Sequence, residues 1–178
     1  MYPKKTTREI LSHNEARATP PGMRHLKVWL HDIRSLHNTG SAFRSCDAFG
    51  VGELLLSGFT PIPPRPEITK TALGAEEHVD WKQMTDPLTH IRALKKEGYI
   101  IAGIEQVHDS ILLNEYLPKN DTKICVIFGN EVTGIYSKLL PELDICLEIP
   151  QFGMKHSLNI SVTVGIVLFH FMSCFSKV

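Results

Sequence analysis

Short apolar runs alternate along the chain with segments whose apolar residues have helical spacing. The continuous apolar stretch at 123–128 is typical of a strand buried on both faces. Strands are predicted at 25–30, 53–57, 99–104, 123–128 and 145–149, and helices at 39–48 and 87–97. Alternating strands and helices indicate an α/β domain with a mostly parallel sheet.

The pattern at 158–175 is ambiguous. Its many β-branched residues favour a strand locally, whereas its length favours a helix. The stretch is also apolar, but it contains several polar residues and is barely long enough to span a bilayer. A buried helix is therefore the preferred interpretation over a membrane span, and the residues alone leave strand and helix open.

The first residues differ in character from the rest of the chain. They are polar, and Thr19-Pro20-Pro21-Gly22 predicts a break, which divides the chain into a basic arm at 1–24 and a domain at 25–178. Six basic and two acidic residues lie within the first 27 positions. Such an arm can attract phosphate ligands, or it is simply a solvated, frayed terminus.

Composition narrows the class of protein. The formal net charge is zero and 43% of residues are hydrophobic, which argues against a protein that coats nucleic acid but allows a local basic patch. The four cysteines form no C-x-x-C pair and have no histidine at metal-ligand spacing, so we expect free thiols and no metal. No apolar run follows the basic N-terminal residues, so we expect no secretory signal and a cytoplasmic location.

Three polar motifs follow predicted strands, at the edge of the sheet where α/β proteins bind ligands. In the first, Asn38 or Thr39 is available as the N-cap of a helix, Gly40 leaves its N-terminus open, and Arg44 lies about one turn further on. Backbone N–H groups together with a guanidinium suit a phosphate. A capped helix with a merely exposed arginine fits equally well.

The second and third motifs lie late in the chain. Gly129 and Gly134 flank Glu131, which indicates either close approach to a ligand or a tight turn with a surface carboxylate. No Gly-Lys-Ser/Thr and no G-x-G-x-x-G occurs, so neither a P-loop nor a dinucleotide fingerprint is present. In the third motif Ser157 could cap the last helix, and Asn159 is expected to be a buried amide that needs partners.

These three motifs, in this order and spacing, resemble the signature motifs of the SpoU (TrmH-like) RNA methyltransferases of the SPOUT superfamily. The similarity covers about residues 24 to 175. The matching positions are Asn38, Gly40, Arg44, Glu131, Gly134, Ser157, Leu158 and Asn159.

The resemblance implies a parallel sheet with helices on both faces, a deep C-terminal trefoil knot and a homodimer. It implies transfer of a methyl group from S-adenosylmethionine to a ribose 2′-hydroxyl of tRNA or rRNA, and it makes the last segment a helix. The residues it implies for cofactor binding are Gly103, Ile104, Gly129, Ile149 and Leu158.

Arg44 is the key catalytic residue that the resemblance implies, with Asn38, Glu131, Ser157 and Asn159 completing the pocket. A free guanidinium stays protonated, so we expect Arg44 to grip a phosphate beside the target ribose rather than to act as the base. Two alternatives stay open: an inactive knotted RNA-binding protein, and a SPOUT enzyme that methylates a base.

Overall fold

A computed structural model describes residues 1–176 of the chain. Its centre is a seven-stranded sheet with the strand order β3-β2-β1-β6-β4-β7-β5. Every neighbouring pair of strands is parallel. The strands are β1 (Leu26–His31), β2 (Glu53–Ser57), β3 (Trp81–Met84), β4 (Ile100–Ile104), β5 (Ile111–Leu112), β6 (Ile124–Phe128) and β7 (Ile145–Glu148). The predicted parallel α/β sheet is confirmed.

Helices cover both faces of this sheet. The α-helices within residues 1–176 are α1 (Thr7–Glu15), which buries no residue, α2 (Pro21–Arg24), α3 (Leu36–Phe49), α4 (Pro66–Ala72), α5 (Pro87–Lys96) and α6 (Ile160–Phe175). One apolar cluster joins the sheet to α3, α4 and α6, and a second joins it to α5. In β6, Val126 and Phe128 face the first cluster while Cys125 and Ile127 face the second. Burial on both faces explains why this strand is apolar throughout.

Two predicted helix starts are wrong. Helix α3 begins at Leu36, because the Ser35 side chain accepts the N–H of Asn38 and is the N-cap. Thr39 therefore lies inside the first turn, where it is buried and its hydroxyl donates to the Ser35 carbonyl. Helix α6 begins at Ile160, and its N-cap is Asn159 rather than Ser157.

Some elements have too weak a signal to be predicted. Helix α1 forms within the arm, where Thr6 and Glu9 make a capping box although no side chain of the helix is buried. Helix α4 begins at Pro66, directly after a proline-rich stretch, and the sequence pattern therefore indicates a loop there rather than the start of a helix. Strand β3 is a partly exposed edge strand and β5 has only two residues, so neither has a clear apolar run.

The ambiguous C-terminal segment is a helix of 16 residues, as its length and the family resemblance indicate. Tertiary packing overrides the local strand propensity of its β-branched residues, since Val164 and Val167 are fully buried. Within residues 1–176 no helix is long and apolar enough to cross a membrane.

The N-terminal boundary and the knot remain predictions. Met23 of α2 is fully buried, and Gly22 lies against the ring of Phe175, so the segment before β1 packs on α6. The far end of the expected domain, 177–178, lies outside the described residues. Strand β6 lies between β1 and β4, and β7 lies beyond β4, so the late strands enter the middle of the sheet rather than extending one edge.

Gly40 sets the distance between α3 and α4. A methyl group on its Cα would lie 2.1 Å from Thr71 Oγ1 and 2.4 Å from the Ile68 carbonyl oxygen. The backbone of α4 cannot move without disturbing the core, since Ile68 is fully buried. Close packing of two helices, rather than an open helix N-terminus, thus explains this glycine.

We expect Gly40→Ala to reduce the free energy of unfolding by about 1–3 kcal/mol, the usual cost of overpacking. The control is Gly153→Ala, because an added methyl there meets nothing within 4 Å. Urea unfolding of both variants measures the difference. Equal stability of the two variants would contradict the packing explanation.

Candidate functional site

A cavity of about 340 Å³ opens at the carboxyl ends of β4, β6 and β7. Its walls are the loops that follow these three strands and the first turn of α6. The second and third sequence motifs therefore meet at one edge of the sheet, where ligands bind in open α/β proteins. Its volume lies in the range of small-molecule sites.

Most residues expected to bind a cofactor line this cavity. Ile104, Gly129, Ile149 and Leu158 are among them. Gly103 does not line it, because this residue is buried within β4, where an added Cβ would meet the side chains of Leu143 and Ile135.

The cavity wall is acidic. It contains the carboxylates of Glu105, Glu131 and Glu148 and neither a lysine nor an arginine. Glu105 accepts the N–H of Ile135 at 2.8 Å, and Glu148 accepts the hydroxyl of Ser110 at 2.7 Å. Because hydrogen bonds hold these carboxylates in place, the cavity suits a ligand that carries positive charge or hydroxyl groups.

Glu131 joins the second motif to the first. Its carboxylate accepts the backbone N–H groups of Arg34 at 3.0 Å and Ser35 at 3.3 Å, and the side-chain amide of Asn38 at 3.2 Å. Partial burial raises the pKa of Glu131, but these hydrogen bonds outweigh burial and hold the pKa below its ordinary value. The structure thus brings Asn38 and Glu131 together, and Glu131 is more than a surface carboxylate.

The neighbouring Asn130, which sequence reasoning missed, makes a second link between these loops. Its amide donates to the carbonyl of Asp32 at 2.7 Å, while its Oδ1 accepts the N–H groups of Val132 and Thr133. Backbone hydrogen bonds between Asn130 and Gly134 close the loop into a tight turn. An asparagine between a buried strand and a glycine was the available signal.

A buried polar cluster lies beside Asp32, which has a left-handed backbone with a φ of 57°. Trp29 Nε1 donates to Ser57 Oγ at 2.7 Å, and Ser57 Oγ lies 2.6 Å from His31 Nδ1. Burial lowers the pKa of His31, against the raising effect of the Asp32 carboxylate 3.3 Å from Nε2. Because Ser57 Oγ accepts from Trp29, its hydroxyl can donate to His31 Nδ1. His31 Nε2 makes no hydrogen bond within residues 1–176, and Asp32 is held instead by its own N–H, which donates to the Ser57 carbonyl at 3.2 Å.

Two residues of the third motif, Ser157 and Asn159, have different roles in the structure. Ser157 lines the cavity. Asn159 lies outside the lining and is exposed, so the expectation of a buried amide is wrong. Its Oδ1 accepts the N–H and the hydroxyl of Ser161, which explains its place at the start of α6.

Arg44 lies apart from the cavity. It is exposed on α3 and lines a separate groove between α3 and α4. Among residues 1–176 Arg44 has no ion-pair partner. In the same residues, no group of three or more His, Cys, Asp or Glu side chains is arranged to hold a metal. Within one copy of the chain, the motifs thus contribute to two separate sites, the cavity and a cationic groove.

Fold and cavity together define an α/β protein with a ligand site at the carboxyl edge of a parallel sheet. Residues 25–169 match the SpoU rRNA Methylase family. The chain belongs to this family, which confirms the resemblance seen in its motifs.

Similar proteins agree with this assignment. Over 135 residues the chain is 33% identical to a tRNA (guanosine(18)-2'-O)-methyltransferase of Saccharomyces cerevisiae, covering 74% of this chain and 9% of the yeast protein. Over 160 residues it is 31% identical to the 23S rRNA (guanosine-2'-O-)-methyltransferase RlmB of Coxiella burnetii, covering 90% of this chain and 61% of that protein. The chain therefore spans less than two thirds of each of these relatives.

Solved structures share the fold. An AdoMet-bound rRNA methyltransferase from Sinorhizobium meliloti superposes with a TM-score of 0.77 at 24% identity, covering 83% of this chain and 56% of that one. The A. aeolicus TrmH/SpoU tRNA modifying enzyme gives a TM-score of 0.75 at 23% identity, covering 93% and 84%.

The Glu131 hydrogen bonds predict a pH-dependent contribution to stability. Because the folded-state pKa is lowered, this contribution is present above the unfolded pKa of about 4.3 and is lost as the pH falls through the folded pKa. We expect Glu131→Gln to cost about 1 kcal/mol at pH 7, since the carboxylate is partly solvated, and less at pH 3.

Urea unfolding at pH 7 and pH 3 measures this difference. Glu97→Gln is the control, because this exposed carboxylate accepts no hydrogen bond among residues 1–176. A cost for Glu131→Gln that is the same at both pH values would show that the carboxylate does not hold the two loops together.

Proposed function

We propose that this chain is an RNA methyltransferase that transfers a methyl group from S-adenosylmethionine to a ribose 2′-hydroxyl. The observation that carries the proposal is the acidic cavity built by the second and third family motifs at the carboxyl edge of the sheet. Membership of the SpoU rRNA Methylase family and relatives named as tRNA and rRNA 2'-O-methyltransferases support it. Transfer RNA and ribosomal RNA both remain candidate substrates, and the cytoplasm is the expected location.

The cavity suits this cofactor chemically. S-adenosylmethionine supplies a methyl group on a positively charged sulfur, and its ammonium group adds further positive charge. The three lining carboxylates favour such a ligand, while Ile104 and Leu158 provide an apolar surface for an adenine ring. Backbone groups of Gly129 and Ile149 would hold the remaining polar atoms.

The other motif residues would position the RNA. A ribose hydroxyl is a weak nucleophile, so alignment and help in removing its proton should supply most of the rate enhancement. Arg44 would grip a phosphate next to the target ribose, and that phosphate or a water would share the proton. Asn38 and Glu131, already joined by a hydrogen bond, would act with Ser157 and Asn159 at the ribose.

Separation of Arg44 from the cavity supports a homodimer in which each copy completes the site of the other. Helix α6 exposes Val162, Ile166 and Phe169 along one face, an apolar stripe suited to a second copy. Phe169 packs edge-on against Phe49, which lines the Arg44 groove. A dimer formed through α6 would therefore bring Arg44 of one copy towards the cavity of its partner.

Incubation of the protein with labelled S-adenosylmethionine and separate tRNA and rRNA pools tests the reaction. After digestion to nucleosides we expect label in a ribose-methylated nucleoside, because the similar proteins are named as 2'-O-methyltransferases. Label in a base would mean a base-methylating enzyme. Cofactor binding without transfer to either pool would favour a binding protein.

Replacement of the arginine tests its role and the dimer together. We expect Arg44→Ala to lower methyl transfer on the order of a hundredfold or more, with S-adenosylmethionine affinity unchanged because Arg44 does not line the cavity. Arg92→Ala, an exposed arginine on the opposite face of the sheet, is the control. Loss of cofactor affinity in Arg44→Ala would contradict the assignment.

Mixing this variant with Leu158→Arg, which places a cation in the cavity wall, tests whether the site is shared. If each active site uses Arg44 of one copy and the cavity of the other, mixed dimers contain one intact site. Activity should then return to about a quarter of the unaltered level when the copies exchange at random. No recovery in a mixture whose subunits demonstrably exchange would show that Arg44 serves its own cavity.

A further inference from the structure

The groove that holds Arg44 has the character of a second binding site. It is open, has a volume of about 460 Å³ and lies between α3 and α4. Serine and threonine hydroxyls, two cations and one aromatic ring line it. Apart from Ala48, these residues are Ser41, Arg44, Ser45, Phe49, Lys70 and Thr71.

Positive charge in this groove is not neutralised. Arg44 and Lys70 are both exposed, and neither forms an ion pair among residues 1–176. Asp47 and Glu67 occur on the same two helices, but neither lines the groove. The groove therefore attracts anions, in contrast to the acidic cavity.

The helix packing gives the groove its depth. Ser41, Ser45 and Ala48 follow one another at helical spacing, so a stripe of small side chains forms one wall. At its end, Gly40 lets α3 approach α4 closely, with Thr71 at the contact. Ser41 and Ser45 place hydroxyl donors along this wall, between which an anion oxygen can be hydrogen-bonded.

We propose that Lys70 and the hydroxyls of Ser41 and Ser45 form, together with Arg44, a subsite for one phosphodiester of the RNA backbone. This inference rests on the proposed function, since it names where the RNA strand passes on its way to the methyl-transfer site. A lysine at such a position neutralises a phosphate without reading a base, so it contributes affinity but no sequence preference.

A purely structural role for Lys70 makes a different prediction. Lys70 lies in the last turn of α4, where a cation stabilises a helix by interaction with its dipole. Such a role affects thermal stability alone and gives Lys70 no part in RNA binding. Binding affinity and its salt dependence therefore separate the two explanations.

The experiment measures binding of fluorescently labelled total transfer RNA by anisotropy, with the full chain, at several salt concentrations. The variants are Lys70→Ala and Lys70→Arg, and the control is Lys96→Ala, an exposed lysine on α5 without an ion pair in the described part of the chain. Calorimetry with S-adenosylmethionine and sedimentation velocity check cofactor binding and oligomeric state. Because RNA binding is read without methyl transfer, failure of the proposed reaction is detected separately.

We expect Lys70→Ala to weaken RNA binding about three- to tenfold and to reduce the slope of log affinity against log salt by about 0.7 to 0.9, the loss of one phosphate contact. Lys70→Arg should keep both values, Lys96→Ala should change neither, and cofactor affinity should be the same in all. An unchanged affinity and slope in Lys70→Ala would overturn the proposal. So would equal weakening by Lys96→Ala, or a change confined to oligomeric state.

Discussion

The carboxylate of Glu131 holds together two loops that lie almost a hundred positions apart in sequence. It accepts two backbone N–H groups at the start of α3 and the side-chain amide of Asn38. These N–H groups precede or begin a helix and have no partner within it, so a fixed acceptor from elsewhere satisfies them. Because Glu131 also lines the cavity, one side chain connects the start of α3 to the cavity wall.

Several layers of structure support this contact. Asn130 ties the turn after β6 to the carbonyl of Asp32. The Asp32 N–H in turn donates to the carbonyl of Ser57, whose side chain is bonded to Trp29 and His31. None of these supporting groups needs to touch a ligand. Their hydrogen bonds tie the loops to the end of a rigid parallel sheet. The polar side chains on these loops therefore occupy defined positions.

The sequence predicted five of the seven strands because each contains a short apolar run, which is unbroken in β6, where both faces are buried. It failed where a contact depends on residues far apart in the chain. Asn38 was a plausible helix cap from its type alone, yet Ser35 caps the helix and the Asn38 amide serves Glu131. Asn159 shows the reverse case, since an amide expected to be buried is exposed and caps α6. The family resemblance identified Asn38, Glu131 and Asn159 as motif positions, but it did not indicate which hydrogen bonds they make.

A net charge of zero conceals a clear separation of charge between the cavity and the groove. The cavity has three carboxylates and no lysine or arginine, whereas the groove has Arg44 and Lys70 and no carboxylate. A cationic methyl donor and an anionic RNA strand would therefore be attracted to different surfaces rather than compete for one. The proposed methyl transfer requires the methyl group and the ribose hydroxyl to be aligned, so a cavity and a groove must be brought together. A second copy that covers the exposed face of α6 would meet this requirement, and it would explain why an apolar stripe lies beside the cationic groove.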